Sequence, residues 1–124
     1  MHPAERYRAL VAEGRLTGDP AQERVAAALE ALAVKLDAYT PGKKSLFGFG
    51  KAAPVPRGLY IFGPVGRGKS MLMDMFFDTV DFAPKLRTHF HDFMAGVHVS
   101  VKRWRETDPG NEIARVAEEV RARA

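Results

Sequence analysis

The sequence predicts an α/β fold: two N-terminal helices, then a strand, a glycine-rich loop, a helix, a second strand and two more helices. Three observations carry this expectation. Apolar residues recur at helical spacing over 20–38 and again over 93–105. A short run of β-formers, Leu59-Tyr60-Ile61-Phe62, stands between Gly58 and Gly63. Directly after it, three glycines, a lysine and a serine fall within eight residues, where the strand pattern gives way to a helical one.

Each element has a local reason. Residues 4–13 read as a short helix with Tyr7, Leu10 and Val11 on one face, ended by Gly14. Asp19-Pro20-Ala21-Gln22 is a helix start: Asp19 accepts from orphan backbone N–H groups, Pro20 suits the first helical position and Gln22 can reach back to the cap. Val25, Ala28, Leu29, Leu32 and Leu36 then mark the buried face of a helix over 20–38.

Residues 40–57 are punctuated by Pro41, Gly42, Pro54 and Pro56 and read as a loop. Phe47 and Phe49 on that loop tuck against the body of the domain. Leu59 to Phe62 is expected to be a buried strand. Ser70 to Val80 forms a helix, apolar at Leu72, Met75 and Phe76. Asp81 to Pro84 is a turn, and Leu86 to His91 reads as a second strand. Phe93 to Arg105 forms a long helix with Phe93, Val97, Val101 and Trp104 in line. Thr107-Asp108-Pro109-Gly110 breaks it, and Asp108 caps a last helix carrying Ile113, Val116 and Val120. The division by segments is 1–39 helical, 40–57 loop and 58–124 the front portion of an α/β core.

Composition sets bounds on the chemistry. The 124 residues are 46% hydrophobic and 27% charged, which fits one small globular domain. With no cysteines, disulfides and thiolate metal sites are excluded, and a reducing compartment fits. No apolar run reaches the roughly 18 residues of a membrane span, and Met1 to Leu10 lacks a secretory apolar core, so a cytoplasmic location is expected. The formal charge of +4 suits an anionic ligand but is equally explained by scattered surface charge.

Gly63-Pro64-Val65-Gly66-Arg67-Gly68-Lys69-Ser70 matches the phosphate-loop pattern G-x-x-x-x-G-K-[S/T]. Such a loop turns backbone N–H groups toward phosphate oxygens. Glycines at 63, 66 and 68 remove the Cβ where the backbone bends or approaches the ligand. The helix that follows directs its positive end at the anion. Lys69 supplies a point charge to the β- and γ-phosphates, and the Ser70 hydroxyl a ligand to Mg²⁺. Pro64, Val65 and Arg67 fill the variable positions. A purely structural glycine turn has no need of the lysine and the hydroxyl.

The stretch Gly58 to Phe77, together with His89-Phe90-His91-Asp92-Phe93-Met94, His98 and the opening Tyr7-x-x-Leu10-Val11-x-x-Gly14-x-Leu16-x-x-Asp19-x-x-Gln22, resembles the ZapE family. This family, also called the ATPase-family-gene-one-like proteins, is a branch of the AAA+ ATPases. The resemblance covers essentially the whole chain. It implies a partial three-layer P-loop NTPase fold of AAA+ type, ATP and Mg²⁺ as cofactors, and ATP hydrolysis in the complete protein. It also implies a link to cell division, with the FtsZ ring or another protein substrate as partner and oligomerisation in the complete protein.

In that family a second apolar strand ending Asp-Glu completes the hydrolytic site. Here it is expected to begin where the chain stops, at Ala124. The expectation is therefore an N-terminal portion of a longer ATPase, truncated before the Walker B strand, able to bind nucleotide but not to turn it over. No catalytic residue is identified. Asp92 is a candidate carboxylate by position, with capping of the helix at Phe93 as the plainer role.

His89 and His91 share a strand face in this reading, and His91 and Asp92 lie toward the ligand crevice, where His91 could sense the γ-phosphate. Zinc binding by His89, His91 and His98 is the less favoured alternative. Lys102, Arg103 and Arg105 are read as a solvated face around a core Trp104, so no nucleic acid is expected. Two other functions stay open: a small-molecule or nucleotide kinase, and a non-catalytic interaction protein whose phosphate loop is a relic.

Overall fold

The computed structural model describes residues 1–40, 54–64, 66 and 68–124. The described residues hold five helices: α1 (Pro3–Ala12), α2 (Pro20–Asp37), α3 (Lys69–Thr79), α4 (Phe90–Thr107) and α5 (Glu112–Arg123). They fall into two compact units, Met1–Phe82 and Ala83–Ala124. The loop reading for 40–57, with Phe47 and Phe49, lies largely outside the described residues.

In the first unit, α1, α2 and α3 pack on one another around Tyr7, Ala26, Leu29, Leu72 and Met75. Each helix contributes one apolar stripe, and burial of these side chains drives the packing. Leu10, Val11, Leu16, Val25, Ile61 and Phe76 close over the cluster. The start of α2 is built as its sequence requires: Asp19 Oδ1 accepts from the N–H groups of Ala21, at 2.7 Å, and Gln22, at 3.3 Å. Glu30 ties α1 to the middle of α2, accepting from the Ala4 N–H at 2.9 Å and meeting His2 Nδ1 at 3.0 Å.

Neither expected strand is present as such among the described residues. Leu59 to Phe62 has no ladder partner, and its burial is one-sided. Ile61 packs on the core, whereas Tyr60 and Phe62 are 88% and 80% exposed and stack with ring centroids 6.0 Å apart. The side chains thus alternate as on a strand. Full burial needs cover on both faces, and α1–α3 supply it on one.

The second expected strand is corrected more sharply. Residues 86–89 are neither helix nor strand, and α4 begins at Phe90, with His89 in extended geometry as its N-cap. A short run such as Leu86 to His91 is compatible with either periodicity, so the sequence pattern could not decide it. His91 is therefore helical and shares no strand face with His89. Asp92 does not cap a helix at Phe93; it sits inside the first turn of α4, where its charge complements the positive helix end.

In the second unit α4 and α5 pack against each other. Phe93, Val97, Val101 and Trp104 do lie along one face, but all four are half-buried and α4 has no buried residue. Trp104 is thus a contact residue between two helices rather than a core residue. Its Nε1–H donates to Glu119 Oε1 at 2.8 Å, and the guanidinium of Arg115 lies 5.2 Å from its ring centroid. Arg103 also pairs with Glu119.

Asp108 is not the N-cap of α5; Asn111 holds that position. Asp108 instead accepts from Asn111 Nδ2 at 3.0 Å and from Arg115 Nε at 3.0 Å, binding the turn to the first part of α5. These bonds hold its carboxyl below the ordinary value, the Asn111 bond being the larger cause and Arg115 the next.

Candidate functional site

The glycine-rich segment joins the core-packed Ile61 to the start of α3. Gly66 has φ +82° and Gly68 has φ +77° with ψ +19°, both left-handed. L-residues with a Cβ rarely adopt this region, so these two glycines let the chain double back into the helix. Gly68 is the N-cap of α3 and offers no side chain to the first-turn N–H groups. The positive end of the helix dipole lies at this end of α3.

Lys69 is the first residue of α3. Its ammonium turns back over the loop, donating to the carbonyl oxygens of Pro64, at 2.9 Å, and Gly63. Among the described residues these two carbonyls are its polar partners, and no carboxylate neutralises it. The result is a positive charge held by neutral oxygens next to a helix start that has no side-chain cap, which is the chemistry of an anion site. Ser70 is exposed in the first turn of α3. The structure thus brings Gly63, Pro64, Gly66, Gly68, Lys69 and Ser70 together at one turn. Val65 and Arg67 lie outside the described residues.

A hollow of about 320 Å³ opens beside this turn. Ile61, Phe62, Val25 and Leu72 give it apolar walls, Asp19 and Gln22 line its α2 side, and Gly63, Pro64 and Lys69 form its loop side. Its size lies at the small end of the range for small-molecule sites, about 300–1,000 Å³.

Sequence reasoning missed how Tyr7 and Gln22 enter this region. Tyr7, 2% exposed, donates its hydroxyl to Gln22 Oε1 at 3.1 Å and accepts from the Asp19 N–H at 3.2 Å. The other end of the Gln22 amide lies against the loop: a Cβ at Gly68 would stand 2.7 Å from Gln22 Nε2. The Asp19-x-x-Gln22 spacing was the available signal, but it reads equally as a capping box.

His89, His91 and His98 are exposed and belong, with Asp92, to the second unit. Among the described residues no group of three or more His, Cys, Asp or Glu side chains is placed to hold a metal. None of the described helices is long and apolar enough to cross a membrane.

The described part of the loop combines a glycine-capped helix start with a lysine folded back over it, and comparison with known proteins supplies the class. The sequence matches the AFG1-like ATPase family over residues 1–123, and the chain belongs to that family of P-loop ATPases. It is 34% identical over 126 residues to the cell division protein ZapE of Escherichia coli K12, an alignment covering 90% of this chain and 33% of that protein. It is 41% identical over 61 residues to lactation elevated protein 1 homolog B of Danio rerio, covering 49% of this chain and 12% of that protein. A Schizosaccharomyces pombe protein, C115.02c, is 32% identical over 127 residues, with 77% and 28% covered. The chain therefore spans a third or less of the length of these relatives. No solved structure matches it.

Proposed function

We propose that this chain binds ATP with Mg²⁺ through Gly63, Pro64, Val65, Gly66, Arg67, Gly68, Lys69 and Ser70. The observation that carries the reading is the Lys69 ammonium, held over the loop by the carbonyls of Gly63 and Pro64 with no carboxylate partner among the described residues. Phosphate oxygens of a triphosphate would offer Lys69 stronger, charged acceptors than those carbonyls. The first-turn N–H groups of α3 add donors at the same point. Mg²⁺ would neutralise charge between the outer phosphates, with the Ser70 hydroxyl as its protein ligand. The apolar hollow beside Gln22 and Val25 would be available to the nucleoside.

Hydrolysis of the bound ATP is proposed for the whole protein, as family membership supports. A role in cell division is proposed from the name of the E. coli relative, and a cytoplasmic location with the FtsZ ring or another protein substrate as partner from the sequence resemblance.

Calorimetric titration of ATP and Mg²⁺ into the wild-type chain and into Lys69→Ala tests the site. Saturable binding by the wild type that is lost in the variant is expected. Equal binding by both would falsify the reading.

A further inference from the structure

Three features lie outside the proposed loop chemistry. The α4–α5 groove lined by Phe93, Val97, Ile113 and Val116 is apolar, but nothing in the structure shows what covers it. The stacked pair Tyr60 and Phe62 is exposed in the same way. The contact of Tyr7 and Gln22 with the loop differs, because its polar atoms are partnered and directed at a specific residue.

Tyr7 is buried, and a buried hydroxyl is retained where it is bonded at both ends. Here it accepts from the Asp19 N–H and donates to Gln22 Oε1. Gln22 projects from the first turn of α2, whose start is anchored by the Asp19 cap. Between these two restraints its amide is held against Gly68, the left-handed residue that turns the loop into α3. Met71 packs on the same side, its Cε 3.3 Å from where a Gly68 Cβ would stand. The Gln22 side chain therefore carries α1 and α2 to the loop backbone at the residue next to Lys69.

We propose that Tyr7 and Gln22 are positioning residues for the phosphate loop, Tyr7 acting through Gln22, so that the N-terminal helical pair sets the nucleotide affinity of a loop some 40 residues downstream in sequence. The inference rests on the nucleotide reading above and adds to it a control of affinity from α1.

The test measures ATP–Mg²⁺ affinity and the amide resonances of Gly66 and Gly68 in the full chain, for the wild type, Tyr7→Phe, Gln22→Met, the double variant and Glu30→Ala. Gln22→Met keeps the side-chain bulk against Gly68 and removes the bond to Tyr7. Loss of one such bond is expected to weaken ATP binding about fivefold for Tyr7→Phe and about tenfold for Gln22→Met. The double variant should match Gln22→Met alone if Tyr7 acts through Gln22, since Tyr7→Phe keeps the ring packed on Leu72 and Met75 and removes the hydroxyl bonded to Gln22. Glu30→Ala weakens the α1–α2 contact away from the loop and should leave affinity unchanged, which separates positioning from loss of stability.

Additive effects in the double variant, or equal weakening by Glu30→Ala, would overturn the proposal. If the wild type binds no ATP, the nucleotide reading fails but the resonances still decide the positioning claim. Gly66 and Gly68 signals that shift in both Tyr7→Phe and Gln22→Met but not in Glu30→Ala uphold it; signals unmoved by Gln22→Met refute it.

Discussion

The ammonium of Lys69 donates to the carbonyl oxygen of Pro64 at 2.9 Å, five residues earlier in the chain. This bond closes the loop on itself and places the charge that the proposed ligand would use. Replacing Lys69 with arginine keeps the charge but substitutes a planar fork for a compact ammonium. Lys69→Arg is expected to bind ATP at least about tenfold more weakly, the loss of a charged hydrogen bond of about 1.5–3 kcal/mol. Calorimetric titration checks it, and wild-type affinity in the variant would show that charge alone suffices.

Gly68 is left-handed at φ +77° and faces Gln22. An alanine there meets two penalties, one in the backbone and one against the amide. Gly68→Ala is expected to destabilise the first unit by about 1–2 kcal/mol from the backbone alone. Urea unfolding measures it. Adding Gln22→Ala should relieve the contact but not the backbone cost, so full recovery in the double variant would show that the φ value is not the cause.

Leu72 lies at the centre of the α1–α2–α3 cluster and is 2% exposed. Leu72→Ala should cost about 2–5 kcal/mol through lost burial and the cavity left behind. A change in unfolding midpoint of under 0.5 kcal/mol equivalent (about the size of a surface substitution) would place Leu72 outside the core.

The Asp19 cap is a local contribution to stability. Asp19→Ala removes the acceptor for the Ala21 and Gln22 N–H groups. The expected cost is about 1 kcal/mol, read from thermal or urea unfolding. Asp19→Asn, which keeps an acceptor oxygen, should recover most of it.

Acid should loosen α5 from α4. The Asp108 carboxyl is held below its ordinary value of 3.8, chiefly by Asn111 and then by Arg115. Glu119 is held below 4.5, chiefly by the Trp104 N–H. A carboxylate with a lowered folded pKa contributes stability that is present above its unfolded pKa and is lost as pH falls through the folded one. Trp104, the single tryptophan, should therefore change its fluorescence as pH falls below about 4.5. Glu119→Gln and Asp108→Asn should flatten that transition; an unaltered transition in both would assign it elsewhere.

The sequence by itself determined the helices and the site motif. Periodicity placed α2 within a residue of its bounds, Asp19 and Pro20 marked its start, and the spacing of Gly63, Gly66, Gly68, Lys69 and Ser70 located the loop. These features are legible because caps, left-handed turns and apolar stripes depend on residues a few positions apart. The tertiary structure decided what depends on neighbours distant in the chain. It left Tyr60 and Phe62 exposed, since one-sided cover is not written in a run of β-formers. It drew Phe90 and His91 into α4, where a short segment obeys two periodicities equally well. It put Trp104 between Arg115 and Glu119, and it turned Gln22 from a helix-start residue into the contact between Tyr7 and Gly68. That last arrangement joins three residues spread over 62 positions, and only the folded chain brings them together.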